Sequence, residues 1–333
     1  MKKLFKNAYL QYILLGIVLA ILPSLTAVGV VKSTHLITVG TMAIYTIAAL
    51  GLNILLGYSG LVSLGTAGFM GFAAYLSAYF TRVMNLPFEL SFALAVIFPT
   101  LIGIIVGVLS LKFEGIYLAI ATLAVSEIFR EIFVQFDFFT GGASGSAADY
   151  PKLLGMIQLN RTQTYYFIVV VMIVVFIIIH NLMKGSLGRA LNAMRGSEAA
   201  AKAMGVNIYK YRLIAFAIAT ALSSIAGVLY VHFIRLAYPT TWSLNLSLEF
   251  LAIIVIGGFR SIPGTLIGSF VVYAVGEIFL KPIPQISNYV PLVKGIMMIV
   301  FIIYYPQGLV GLKTTIAKVK NKLFAKKEEK NHE

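Results

Sequence analysis

The sequence contains no cysteine, which excludes disulfides and thiolate metal sites. Charge is also scarce: Asp, Glu, Lys and Arg make up 11% of the chain, against about 25% in an average soluble domain. Histidine is limited to His35, His180, His232 and His332, with no i, i+4 pair of the kind a helical zinc site uses. No metal or cofactor site is therefore expected. The Gly-rich run 141–145 is followed by no Gly-Lys-Ser/Thr, and no P-loop occurs elsewhere, so the chain does not hydrolyse ATP in the usual way. Nothing resembles a nucleophile elbow or a paired acid and base, which argues against an intramembrane enzyme.

What is present is apolar residue, 59% of the total, with a mean hydropathy of +0.92. A helix needs about 20 apolar residues to cross a bilayer. That rule gives spans near 9–31, 36–56, 61–80, 88–110, 115–135, 163–183, 211–232, 244–258, 264–281 and 289–310. The expected fold is all-α, a polytopic membrane protein of about ten helices. The opening MKKLFK resembles a signal peptide, but the apolar run from Tyr9 to Val31 is too long for one and lacks an A-x-A site. It reads as a retained first helix.

The net charge of +14 is a topology signal and not a nucleic-acid footprint. With these spans, most Lys and Arg fall on one side, in the N-terminus, the interval 184–212 and the tail 313–333. The positive-inside rule makes that side cytoplasmic, with an affinity for anionic lipid headgroups. Residues 1–312 then form a transmembrane domain and 313–333 a basic cytoplasmic tail.

The interval 184–212 is a polar interruption with helical punctuation. Ser197 suits an N-cap, Glu198 favours the positive end of a helix dipole, and Gly205 suits the stop of an Ala-rich turn. The stretch 50–78 is Gly- and Ser-rich. The spacing of Gly57, Gly60, Gly65, Gly68 and Gly71 suits tight helix packing, and Gly57-Tyr58-Ser59-Gly60 equally suits a broken helix. Glu127, Arg130 and Glu131 share one helical face near a span end. Glu277 and Lys294 lie at matching depth on successive spans and are expected to pair, since an isolated ion in a membrane is costly.

Several blocks together resemble LivM-type permeases, the membrane subunits of branched-chain amino-acid ABC importers. They are LGLNILLGYSGLVSLGTAGFMGF from Leu50, FEGIYLAIATLAVSEIFREIF from Phe113, FFTGGASGS from Phe138, LGRALNAMRGSEAAAKAMG from Leu187, IGGFRSIPG from Ile256 and YYPQGLVGL from Tyr304. One position departs: after Ser-Leu-Gly, where the family commonly has His, stands Thr66. The resemblance implies that Gly188, Arg189, Arg195, Glu198, Ala199 and Gly205 belong to a coupling helix seated in a groove of an ATP-hydrolysing subunit. It further implies a sister permease, two cytoplasmic ATP-binding subunits, an extracytoplasmic solute-binding protein and a cargo of leucine, isoleucine or valine, though relatives move urea and other small polar solutes. For the substrate route the polar residues Ser59, Ser63, Thr66, Glu127 and Arg130 are the candidates. A stand-alone secondary transporter is the alternative, supported only by a faint echo between Gly57–Thr66 and Gly258–Thr265.

Overall fold

The computed structural model describes residues 8–29, 32–112, 115–153, 155–283, 289–304 and 308–311, so the tail 313–333 lies outside the described residues. The chain runs through α1 (Ala8–Ala20), α2 (Leu22–Ala27) and α3 (Ser33–Leu52), which continues as a π-helical turn over Asn53–Tyr58. Then come α4 (Thr66–Arg82), α5 (Phe88–Ser110), α6 (Ile116–Gln135), α7 (Asp137–Thr140) and α8 (Arg161–Lys184). The basic interval folds as α9 (Ser186–Gly196) and α10 (Glu198–Ala203). The rest is α11 (Ile208–Ile234), α12 (Leu244–Gly257), α13 (Ile262–Ser269, prolonged by π turns to Leu280) and α14 (Val290–Tyr304).

A helix lies at each of the ten expected spans. Six of the described ones are long and apolar enough to cross a membrane: Ala8–Thr26, Ser33–Tyr58, Phe88–Ser110, Arg161–Lys184, Ile208–Ile234 and Ile262–Leu280. The other four fall short for visible reasons. Residues 60–65 are not helical, which leaves α4 with 17 residues. The 20-residue α6 carries Glu127, Arg130 and Glu131. Helices α12 and α14 have 14 and 15 residues.

The all-α expectation also needs a small correction. Four two-residue strands occur, β1 (Ser146–Ala147), β2 (Lys152–Leu153), β3 (Ile157–Gln158) and β4 (Leu236–Ala237), paired β1 with β4 and β2 with β3. These loops cross one end of the bundle, and short ladders satisfy backbone groups that no helix there can.

Helix α3 is the axis of the fold. Of its apolar window 94% is buried, against 17% for α1 and 22% for α5, which therefore lie at the periphery. Helices α4 and α11 pack on α3 and on each other. Small residues let α4 approach both α11 and α6: a Cβ at Gly227 of α11 would overlap the Met70 carbonyl, and one at Gly68 would stand 2.7 Å from Ser126 Cα of α6. Close approach through small residues is how membrane helices gain packing energy without a hydrophobic drive. Gly227→Val should wedge α4 from α11 and cost about 1–3 kcal/mol. Thermal unfolding in detergent checks this, and an unchanged midpoint would refute the close-contact argument.

Candidate functional site

Three polar regions of this apolar bundle contain the site residues expected from the sequence. The first is the break between α3 and α4. After the π-helical turn, Gly60 adopts φ +75° and the chain runs unwound to Gly65. Both readings of the glycine block thus apply, Gly60 serving the break and Gly68 the packing. Side chains from elsewhere satisfy the backbone here. Thr122 Oγ1 of α6 accepts from Leu64 N at 3.0 Å, and Ser247 Oγ of α12 accepts from Ala67 N at 3.2 Å. Asn53, buried at the start of the π turn, donates to Thr265 Oγ1 at 2.8 Å and to the Gly258 carbonyl at 3.4 Å. Its own carbonyl oxygen accepts from Arg260 N at 2.8 Å, and Tyr58 OH donates to the Arg260 carbonyl at 3.0 Å. Arg260 has φ +59°, so the turn between α12 and α13 is held in a strained shape by these bonds.

Of the residues expected on a substrate route, Ser59, Ser63 and Thr66 are buried at this break. Ser59 Oγ donates to the Leu55 carbonyl, and Ser63 Oγ accepts from Gly65 N at 3.3 Å. Ser63 and Thr66 line a space of about 10 Å³ with Phe216 and Thr220 of α11, room for one water and not for an amino acid. Glu127 and Arg130 pair with each other on α6 at 2.6 Å with both side chains partly exposed, while Glu131 accepts from Gln135 at 2.9 Å.

The second region is the basic end. Gly185 closes α8, and α9 buries Leu187, Gly188, Ala190, Leu191 and Met194 against the bundle. A Cβ at Gly188 would overlap the Met183 carbonyl, so this glycine sets how tightly α9 turns back on α8. The punctuation of α10 is as the sequence predicts. Ser197 Oγ accepts from Ala200 N at 3.3 Å, and Gly205 follows the helix in the left-handed region at φ +82°. Only Ala201 of α10 is buried; Glu198, Ala199, Lys202 and Met204 face outward. Glu198 forms an ion pair with Arg212 of α11, and Arg189 Nη1 donates to the Lys184 carbonyl at 3.3 Å. Arg195 reaches further. Its Nη1 donates to the Leu56 carbonyl in the π turn at 3.0 Å, which ties α9 directly to the helix break.

The third region is the opposite half of α12–α14. The expected Glu277–Lys294 pair is not what the structure forms. Glu277 takes Lys281, one turn on, at 2.8 Å, and Lys294 pairs with Glu249 of α12. A partner at i+4 on the same helix costs less ordering than one across a helix gap. The stem of Lys294 also crosses Gly276, where a Cβ would stand 3.2 Å from Cε, and this carries the ammonium past α13 onto α12.

Sequence reasoning gave no role to Asn53 or Asp149; Glu249 is legible as a charge near the outer end of its span, but its partner is not. Asn53 had one available signal, a polar amide side chain in an apolar helix. Asp149 bonds or pairs with Arg82, Arg235 and, through its carbonyl, His232 Nδ1 at 2.6 Å. His232 Nε2 meets Ser77 Oγ at 2.9 Å, so this histidine fastens the strand-bearing loop to α4 and α11. Among the described residues no three His, Asp or Glu gather as a metal site.

The family model for the permease component of branched-chain amino acid transport systems matches residues 34–302. The chain belongs to this family of membrane transport permeases. It is 28% identical over 303 residues to the high-affinity branched-chain amino acid transport system permease protein LivM of Escherichia coli K12, covering 84% of this chain and 70% of that protein. It is 24% identical over 246 residues to the ribose import permease protein RbsC of Haemophilus influenzae, covering 68% and 71%. Among solved structures, a metal-chelate type ABC transporter in an inward-facing conformation aligns with TM-score 0.50 and 15% identity over 88% of this chain and 98% of that one. That likeness is one of fold alone.

For this permease the break offers the cleanest test of site architecture. Asn53→Leu keeps the volume but strands Arg260 N and the Gly258 carbonyl, at a cost of about 1–3 kcal/mol. Thr265→Val, which removes one of the bonds, should cost less. Thermal unfolding checks both, and equal midpoints for Asn53→Leu and wild type would refute the stapling role.

Proposed function

We propose that the chain is a permease subunit of an ABC importer that moves branched-chain amino acids, or a similar small polar solute, across the cytoplasmic membrane of a prokaryote. The observation that carries this reading is the likeness to LivM over 84% of the chain. In this reading the chain makes ten crossings, and the basic end with both termini is cytoplasmic, as the positive-inside rule favours. ATP hydrolysis belongs to two separate ATP-binding subunits. A sister permease completes the membrane path, an extracytoplasmic solute-binding protein delivers the cargo, and the basic end adheres to anionic lipid.

Coupling is assigned to Gly188, Arg189, Arg195, Glu198, Ala199 and Gly205. The exposed α10, Ala-rich between Glu198 and Lys202, capped by Ser197 and stopped at Gly205, suits a groove of the ATPase. The Arg195–Leu56 bond gives its motion a route to the break between α3 and α4. Ser59, Ser63, Thr66, Glu127 and Arg130 stay on the proposed route only in a conformation that opens the space at the break.

The likeness to ribose permeases supports sugar import as the second reading. Proteoliposomes holding both permeases, the ATPases and the binding protein should take up leucine, isoleucine or valine in an ATP-dependent manner. Uptake of ribose without amino acids would overturn the branched-chain reading. ATP-independent uptake by this chain alone would establish the stand-alone transporter instead.

Coupling has its own test. Glu198→Lys places a cation beside Arg212 on the docking face and should lower transport more than tenfold while the protein still inserts and assembles. Arg212→Gln, which breaks the same ion pair without reversing the exposed charge, should lower it far less. Equal loss in both would reduce Glu198 to a structural partner of Arg212.

A further inference from the structure

A cavity of about 510 Å³ opens between α12, α13 and α14, lined in part by Tyr45, Ser243, Asn245, Glu249, Lys294 and Met298. It is the right size for a small solute, since ligand pockets run from about 300 to 1,000 Å³. Glu249 lies five residues into α12 and Lys294 four into α14, which puts both about 6–8 Å from the same end of their helices. Their side chains are only 18% and 20% exposed, yet each is charged.

This ion pair is poorly explained as a fastening. Two apolar residues would hold α12 against α14 without the cost of removing charges from water. Moreover, the pair is under-used. An ammonium has three donors and a carboxylate about four acceptor sites. Among the described residues Lys294 makes one hydrogen bond, to Glu249, and otherwise stands 5.8 Å over the Tyr273 ring; Glu249 accepts only from Lys294. Their spare valences adjoin the cavity. Behind them Tyr45 packs edge-on to Tyr273 at 4.8 Å and to Phe250 at 5.3 Å, a rigid aromatic floor. Leu246, Ala252, Val272 and Met298 supply an apolar wall beside the charges.

We infer that this cavity is a seat for a zwitterionic α-amino acid with an aliphatic side chain. The ligand's ammonium bonds Glu249, its carboxylate bonds Lys294, and its side chain lies on the apolar wall. The exchange adds no net charge to the membrane interior, and it uses donors and acceptors that the Glu249–Lys294 bond itself does not engage. A neutral sugar can hydrogen-bond to both groups but brings no counter-charge to either, so its hydrogen bonds here are the weaker, singly charged kind. The inference rests on the amino-acid reading above and deepens it, since the polar residues at the break leave room for one water only. Gly276 belongs to the seat as a positioning residue, because its missing side chain lets the Lys294 stem pass.

The test is tritiated leucine binding to the nanodisc-held assembly of both permeases and the ATPases, without the binding protein. Wild type should bind leucine and be competed at least tenfold less well by leucine amide, which lacks the carboxylate, and by 4-methylpentanoate, which lacks the ammonium. Lys294→Met should erase the preference for leucine over leucine amide, and Glu249→Gln the preference over 4-methylpentanoate. A fastening role moves neither ratio. Ala252→Leu fills the wall without touching charge, and should raise the Kd for leucine at least tenfold if the charge variants fail to assemble. Wild-type ratios in the variants, or no leucine binding by an assembly that takes leucine up, overturn the seat and leave the import reading standing. Uptake of ribose without amino acids fells the import reading and the seat together. Leucine binding that disappears when phosphatidylethanolamine joins phosphatidylglycerol in the nanodisc, with that lipid retained by wild type and lost from Glu249→Gln, assigns the cavity to a zwitterionic headgroup and overturns the proposal.

Discussion

Backbone polar groups inside a membrane have no water to turn to, and each one left unpaired costs several kcal/mol. The stretch Asn53–Gly65 breaks the helical ladder between α3 and α4, so its backbone is satisfied by side chains from other helices. Thr122 of α6, Ser247 of α12 and Arg195 of α9 each supply a side chain, and Asn53 binds the turn between α12 and α13. One local irregularity thereby fixes the relative placement of α3, α4, α6, α9, α12 and α13. The close approach of α4 to α11 at Gly227 completes the arrangement.

The same constraint gives the molecule a mechanical layout. A continuous helix transmits displacement along its own axis, whereas a break held by side chains from several helices can be shifted by any of them. Arg195 links the break to α9, and α9 leads into the exposed α10. On the far side, the turn that Asn53 and Tyr58 hold is the start of α13, whose other end lies beside Glu249 and Lys294. A chain of packed elements therefore runs from the proposed docking face to the proposed seat through the break. The strand-bearing loop forms a separate fastening, pinned by Asp149 between two arginines and by His232.

Local signals in the sequence carried well. The ten helix positions follow from hydropathy. The cap at Ser197 and the stop at Gly205 follow from side-chain and backbone chemistry that needs no tertiary context. The family followed from blocks spread along the chain. What failed was pairing across helices. Depth along two spans can be counted from the sequence, and Glu277 and Lys294 do lie near the same level. Rotation about the helix axis cannot be counted, and it gave Lys294 to Glu249 and left Glu277 to its neighbour Lys281. The break was half legible, since the glycines of 57–71 suit packing and unwinding alike. Which glycine does which depends on partners such as Thr122 and Ser126, which are distant in sequence.

The central claim is that the break couples the basic end to the rest of the bundle, and amide hydrogen exchange over residues 56–67 of the assembled transporter tests it most directly. With ATP bound against ATP absent, exchange at 56–67 should change together with exchange at 186–205. In Arg195→Leu the change at 186–205 should persist while that at 56–67 is lost. A response at 56–67 that survives Arg195→Leu, or none in the wild type, would contradict the account.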